Sequence, residues 1–263
     1  MNDASALATV FLLTGMLLVL GELARVLVMG DRLGERRPRG PIVVEPHVAG
    51  IATLFVLIYV VPALIELGTR AKLPEKASVA ALIAVIVTNL VVVAAVIPLL
   101  AVTGHNRLAD YGIEFQGWLS EIRYGAIGYL VSTPIVMGVL IAMSNFRGPE
   151  TEHPFLKMLS GASPVELAGV TVAAVIAAPL AEELIFRVLF QGLLESLVPT
   201  WIAILLPAVA FAAMHGRYDA IPLFPLAVVL GLLYHARRSY VAVITTHALF
   251  NATFLLLALH GRG

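Results

Sequence analysis

Long runs of apolar residues alternate with short polar connectors along the whole chain. A run of roughly 20 mostly apolar residues is long enough to cross a bilayer as a helix. The pattern therefore predicts an all-α polytopic membrane protein with about eight transmembrane helices. The predicted helices are Ala6–Met29, His47–Gly68, Ser78–Val102, Tyr124–Met143, Val165–Leu194, Trp201–Met214, Ile221–His235 and Tyr240–Leu259. The sixth and seventh are short, which predicts partial burial in protein, a thinned bilayer or a re-entrant path.

Composition supports a membrane protein. Of the 263 residues, 60% are hydrophobic and 13% are charged, whereas a soluble domain averages about 45–50% apolar and about 25% charged residues. The net charge of +0 gives no basic surface for nucleic acid. The chain has no cysteine, which excludes disulfides, thiolate metal sites and a cysteine nucleophile. We expect an integral multi-pass protein whose partner is the lipid bilayer and not a nucleic acid.

Three polar clusters interrupt the apolar helices of the last third of the chain. They are Glu182-Glu183-Leu184-Ile185-Phe186-Arg187, Phe211-Ala212-Ala213-Met214-His215 and His247-Ala248-Leu249-Phe250-Asn251. Ionisable side chains are expensive within a membrane and by default mark a functional site. We therefore expect the late helices to form one active site in a membrane cavity.

The spacing inside the first cluster separates its two acids. Glu183 and Arg187 are four residues apart, so they share a helix face and can pair. Glu182 lies about 100° further round the helix and is left to face a different neighbour. Pro179, just upstream, removes a backbone hydrogen bond and predicts a kink or a restart of the helix. Ser163-Pro164-Val165-Glu166 has the residues of a capping box and predicts the start of this helix.

The second and third clusters supply complementary chemistry. Phe211 and His215, and likewise His247 and Asn251, are four residues apart. A carboxylate beside a histidine can take a proton from water, and a histidine with an amide can donate hydrogen bonds to an oxyanion. These groups suffice to hydrolyse a peptide bond through activated water. The same residues are also compatible with structural contacts between helices, or with a zinc site that has Glu182, His215 and His247 as candidate ligands.

The remaining polar residues give weaker signals. Asn89 lies in the middle of the third predicted helix, where we expect a packing hydrogen bond and not a site. His235 adjoins Arg237 and Arg238 and is expected at the membrane interface. Tyr218-Asp219 resembles half of an aspartyl intramembrane protease pair, but the second, Gly-x-Gly-Asp half is absent. No His-Glu-x-x-His or Gly-x-Ser-x-Gly motif occurs, which argues against zincin-type and serine proteases.

At these residues the chain resembles the CPBP family, the CAAX prenyl protease and bacteriocin-processing group that includes the abortive-infection proteins. The resemblance rests on Glu-Glu-x-x-x-Arg, Phe-x-x-x-His and His-x-x-x-Asn in that order, over about Pro179 to Asn251. Glu152-His153-Pro154 is also similar to members of the group. The ordered triple is a specific signal, although each motif alone is weak.

The resemblance implies a role for each motif residue. Glu182 matches the water-activating glutamate, and His215 matches the histidine that works with it. Glu183 and Arg187 match the supporting pair, with Phe211 fitting as well, and His247 and Asn251 match the oxyanion-stabilising pair. The family is often labelled metalloprotease, but the resemblance is also compatible with a metal-independent glutamate mechanism, so zinc is a possible cofactor and none is certain.

We therefore predict a single membrane domain over residues 1–263, with helices lacking recognisable motifs in 1–144 and a catalytic core in 165–260. The predicted function is a CAAX prenyl protease-like intramembrane endopeptidase of a prokaryotic plasma membrane. Its expected substrate is a membrane peptide or a prenylated protein tail. The alternatives are a non-catalytic immunity or scaffold protein of the same fold, a zinc-dependent protease, and a transporter that uses the intramembrane charges as a proton relay.

Overall fold

The computed structural model describes residues 46, 48–54, 57, 58, 61, 78–102, 106–143, 157–159 and 161–260, with only the backbone at residue 217. Within these ranges the regular structure is helical, and no strand occurs. The long helices are α1 (Val79–Val102), α2 (Trp118–Ala142), α3 (Pro164–Leu194), α4 (Thr200–Met214), α5 (Gly216–Arg237) and α6 (Tyr240–His260).

The protein is a polytopic helical membrane protein, but the structure does not support the count of eight helices. Among the described residues, five helices are long and apolar enough to cross a membrane, and α4 is shorter. The predicted helix Ala6–Met29 and the tripeptide Glu152-His153-Pro154 lie outside the described residues. The described residues within His47–Gly68 are helical.

Two helix boundaries differ from the prediction. The fourth predicted helix begins at Trp118 and not at Tyr124. The seventh was predicted to be short, yet α5 runs for 22 residues from Gly216 to Arg237. Hydropathy missed its first turns because they carry polar residues, among them Asp219, which faces an internal cavity.

Helix α3 contains two π-helical stretches. The capping box is present, since the Ser163 hydroxyl accepts a hydrogen bond from the Glu166 amide and the Glu166 carboxylate accepts one from the Ser163 amide. The restart expected at Pro179 is present: the chain stays helical, but an α-helical stretch begins anew at Ala178–Glu183, with Pro179 in its first turn, between π-helical turns at Val172–Ala177 and Leu184–Gln191. Such wide turns are frequent at functional sites, and these two bracket the acids of the first polar cluster.

Helices α2 and α6 approach each other closely through small residues. The Thr246 hydroxyl donates a 2.8 Å hydrogen bond to the Gly125 carbonyl. A Cβ atom on Gly125 would lie 2.5 Å from the Thr245 Cβ, and one on Gly128 would lie 2.6 Å from the Thr246 Oγ1. Small residues at such crossings let backbones approach within a membrane. This crossing fixes α6, which carries His247 and Asn251.

Helices α3 and α5 run side by side in a constant register. Arg187 donates a hydrogen bond to the Ala227 carbonyl, Gln191 donates to the Gly231 carbonyl, and His235 Nδ1 contacts the Glu195 carboxylate. The sequence separation is 40 residues in each case. Because polar contacts recur at every fourth residue, α3 cannot slide or rotate against α5 without breaking all three. The register therefore holds the first polar cluster in place.

Candidate active site

Glu183 joins two of the three polar clusters. Its Oε2 lies 3.3 Å from the Arg187 Nε, and its Oε1 lies 2.8 Å from the His247 Nδ1. The Glu183 side chain is fully buried, and the other two are nearly so. The ion pair with Arg187 is the one expected from the four-residue spacing. The contact with His247 was not predicted, and it makes Glu183 the link between α3 and α6.

Glu182 points into a different space from its neighbour. Its Oε2 lies 4.0 Å from the His215 Nε2 and 3.9 Å from the His247 Nε2. These distances exceed direct hydrogen bonds, and this oxygen has no hydrogen-bond partner among the described residues. A water molecule at about 2.8 Å from each of two atoms can bridge a gap of this size. The arrangement thus allows one water molecule to contact the acid and a histidine together.

The hydrogen bonds of the two histidines fix their tautomers. His215 Nδ1 lies 2.8 Å from the Phe211 carbonyl oxygen, which can only accept. His247 Nδ1 faces the Glu183 carboxylate, which also accepts. Nδ1 therefore carries the hydrogen in both rings, and Nε2 of each neutral ring presents a lone pair towards Glu182. Both rings can exchange a proton on the side that faces the acid.

Phe211 lies between these groups. The Arg187 guanidinium is 4.7 Å from its ring centroid, within the range of a cation–π contact. The ring centroids of His215 and His247 are 4.7 Å and 5.6 Å from that of Phe211. Phe211 is fully buried, so it packs against the guanidinium and both imidazoles at once.

Asn251 shares helix α6 with His247 and borders the same space. Its Nδ2 donates a 2.8 Å hydrogen bond to the Ala174 carbonyl in the first π-helical stretch of α3. That bond uses one of the two hydrogens of the amide group. The second hydrogen is left for another acceptor, and the contact fixes the direction in which the amide faces.

All four residues with predicted catalytic roles open into one cavity of about 370 Å³. Glu182, His215, His247 and Asn251 line it together with largely aliphatic and aromatic side chains. Asp219, which gave only a weak signal in the sequence, lines it too, as does Asn89. Apolar walls with a few convergent polar groups are typical of sites that bind small or extended ligands.

The donor types at this site fit zinc, but their spacing does not. Donor atoms around a tetrahedral zinc ion with bonds of about 2.0–2.1 Å lie roughly 3.4 Å apart. Glu182 Oε2 is 3.9–4.0 Å from the two nitrogens. Within the described part of the chain, no group of three or more histidine, aspartate or glutamate side chains has an arrangement that could hold a metal ion.

A fourth polar cluster, which was not predicted from the sequence, lies just beyond the end of α3. Glu195 contacts His235 Nδ1 at 3.1 Å, Arg238 at 2.7 Å and Gln191 Nε2 at 3.0 Å. Burial opposes ionisation of Glu195, but the hydrogen bonds from His235 and Gln191 and the charge of Arg238 outweigh it, so the pKa of this carboxyl lies below its ordinary value. The available signal was the four-residue spacing of Arg187, Gln191 and Glu195.

Comparison with known proteins gives one match. Residues 164–253, about a third of the chain, match the model of a family described as type II CAAX prenyl endopeptidase Rce1-like. No curated protein and no solved structure is significantly similar to the chain. The matched segment contains the three polar clusters and most of the cavity wall. Over this segment the chain is similar to the CPBP group of CAAX-type proteases.

Proposed function

We propose that the protein is an intramembrane endopeptidase that hydrolyses a peptide bond near the membrane face, with a prenylated CAAX tail as the substrate to test first. The observation that carries the proposal is the position of Glu182 Oε2, within 4.0 Å of the Nε2 atoms of both His215 and His247 in one cavity. The family match adds a protease family whose description names CAAX prenyl endopeptidases.

In the proposed reaction, Glu182 takes a proton from a water molecule that His215 Nε2 helps to orient. The water oxygen forms a bond to the scissile carbonyl carbon, and the carbonyl electron pair moves to the oxygen. Glu182 then passes its proton to the amide nitrogen as the C–N bond breaks. Proton transfer by positioned side chains contributes about 10²–10⁴-fold to rates of this kind.

Asn251 and His247 are proposed to stabilise the oxyanion. The second amide hydrogen of Asn251 is directed at the developing charge. A hydrogen bond from His247 Nε2 requires the doubly protonated ring, because Nδ1 already carries a hydrogen towards Glu183. Glu183 supports that cation by direct contact, and Arg187 fixes Glu183. The role of this buried trio is thus to hold a positive donor beside the carbonyl.

Cleavage of a fluorogenic farnesylated CAAX peptide by purified wild-type protein and by Glu182→Ala tests the proposal. Cleavage by the wild type alone supports it. Equal signal from both proteins indicates a contaminating protease. A wild-type protein that binds the peptide without cleaving it indicates the immunity or scaffold alternative. Flux of protons or solutes in proteoliposomes is the corresponding test of a transporter.

A zinc-dependent version of the protease has one observation in its favour, the two Nε2 lone pairs that face the Glu182 carboxylate. It is separated from the glutamate mechanism by metal analysis of the purified protein and by chelation. Loss of cleavage in chelator, with recovery on adding zinc, favours zinc. Unchanged cleavage in chelator favours the metal-independent reaction. The location in a prokaryotic plasma membrane and the division at 1–144 and 165–260 are part of the same proposal.

A further inference from the structure

Asn89 interrupts the inward-facing stripe of helix α1. The buried residues of this helix are Leu82, Asn89, Val92, Val96 and Leu100. Every member except Asn89 is aliphatic, and the Asn89 residue is only 7% exposed. An apolar side chain at this position would pack without removing a polar group from water, whereas asparagine places an amide there. A packing hydrogen bond was expected to account for it.

That expectation is wrong within the described part of the chain. No hydrogen bond to the Asn89 side chain occurs among the described residues, whereas Asn251, at the same cavity, bonds to a backbone carbonyl. Instead the Asn89 side chain lines the cavity that contains Glu182, His215 and His247. The Asn89 amide is not among the fully buried polar groups of the described residues that lack a partner, so it is open to the cavity, where a bound group can pair with it.

An extended peptide has the matching chemistry. Each residue of a peptide that enters a membrane cavity brings an N–H donor and a C=O acceptor, both of which need partners there. The Asn side chain has one acceptor oxygen and two donor hydrogens, so it can pair with both groups of a peptide unit. The walls of the cavity are otherwise largely apolar, and its motif residues are assigned to the reaction.

We propose that Asn89 is a substrate-positioning residue that hydrogen-bonds the main chain of the bound peptide. The proposal rests on the proposed endopeptidase function. A sphere of 370 Å³ is about 9 Å across, which equals two to three residues of extended chain at about 3.3 Å each. Helix α1 also packs against the Ala178–Glu183 stretch of α3. Asn89 therefore contacts a peptide unit within a few residues of the scissile bond, and it recognises the backbone and not a particular side chain.

The test compares wild type with Asn89→Leu, and uses Thr88→Leu as the matched control. Thr88 is the adjacent residue of α1 and is exposed, so its substitution also replaces a polar residue by leucine but outside the cavity. We expect Asn89→Leu to raise KM for the farnesylated peptide about tenfold, with kcat within twofold of the wild type and an equal or higher melting temperature. Thr88→Leu is expected to leave all three unchanged.

The melting temperature separates the substrate role from a structural one. A lower melting temperature in Asn89→Leu shows that the amide stabilises the fold and overturns the proposal. An unchanged KM also overturns it, and leaves the endopeptidase function intact if the wild type cleaves. If the wild-type protein cleaves no membrane peptide, both the proposed function and the assignment of Asn89 are wrong.

Recognition of the substrate main chain by Asn89 can be tested separately. Peptides N-methylated at successive positions lose one donor each without changing their side chains. At the unit that Asn89 contacts, methylation is expected to raise KM for the wild type and to have no further effect on Asn89→Leu. Equal sensitivity of both proteins at every position contradicts the assignment.

Discussion

Glu183 Oε1 and His247 Nδ1 lie 2.8 Å apart, across 64 residues of sequence. The contact joins α3 to α6 beside the cavity and determines which nitrogen of His247 faces Glu182. Since the second oxygen of Glu183 pairs with Arg187, one carboxylate balances both a guanidinium and an imidazole. The two adjacent acids thus have separate surroundings: Glu183 is held between Arg187 and His247, and Glu182 lines the cavity.

Arg187→Met is expected to destabilise the fold strongly. The substitution leaves the fully buried Glu183 carboxylate without its cation, and breaking a buried pair from one side costs about 3–5 kcal/mol. Unfolding by denaturant in detergent micelles measures the loss. The control is Arg107→Met, because Arg107 is 86% exposed in its pair with Asp110 and its loss is expected to change little. Equal stability of Arg187→Met and wild type would show that the trio does not support the fold.

Asn251→Leu is expected to lower kcat by about 10²–10³-fold, the typical effect of removing one oxyanion donor. KM should change little, because the contact forms chiefly as charge develops on the substrate oxygen. Steady-state kinetics on the farnesylated peptide measures both values. Asn106→Leu removes another amide, which bonds to the Tyr111 hydroxyl away from the cavity, and should retain kcat. A rise in KM alone for Asn251→Leu would assign this residue to substrate binding.

Gly125→Ala tests the crossing of α2 and α6. The added methyl group would lie 2.6 Å from the Ala242 carbonyl oxygen, so the helices must separate, and overpacking of this kind typically costs about 1–3 kcal/mol. Gly138→Ala is the matched control on the same helix, since no atom of the described residues lies within 4 Å of the new methyl position. We expect a lower melting temperature and weaker cleavage for Gly125→Ala only. Two variants that melt like the wild type would contradict the close approach.

Acid is expected to weaken the fold through Glu195. Its pKa is lower in the folded protein than its ordinary value of 4.5, so the ionised carboxylate stabilises the fold above that value. This contribution is lost as the pH falls through the ordinary value and then through the lower folded one. The melting temperatures of wild type and Glu195→Gln should therefore differ most at neutral pH, and the difference should shrink progressively as the pH falls below 4.5. A constant difference at every pH would show that the charge of Glu195 is not involved.

The sequence predicted contacts within one helix well and contacts between helices poorly. The spacing of Glu183 and Arg187 was enough to predict their ion pair, because both lie on one helix. The contact of Glu183 with His247 depends on how α3 and α6 pack, which periodicity does not encode. The length of α5 was also underestimated, because the polar residues of its first turns, among them Asp219 at the cavity, lowered the hydropathy there.

Single-turnover cleavage by Glu182→Gln tests whether Glu182 activates the attacking water. Glutamine has nearly the same shape but cannot take a proton, so we expect the rate of peptide cleavage to fall by about 10²–10⁴-fold with the melting temperature unchanged. His215→Ala should show the same loss. Cleavage by Glu182→Gln at the wild-type rate would contradict this role for Glu182.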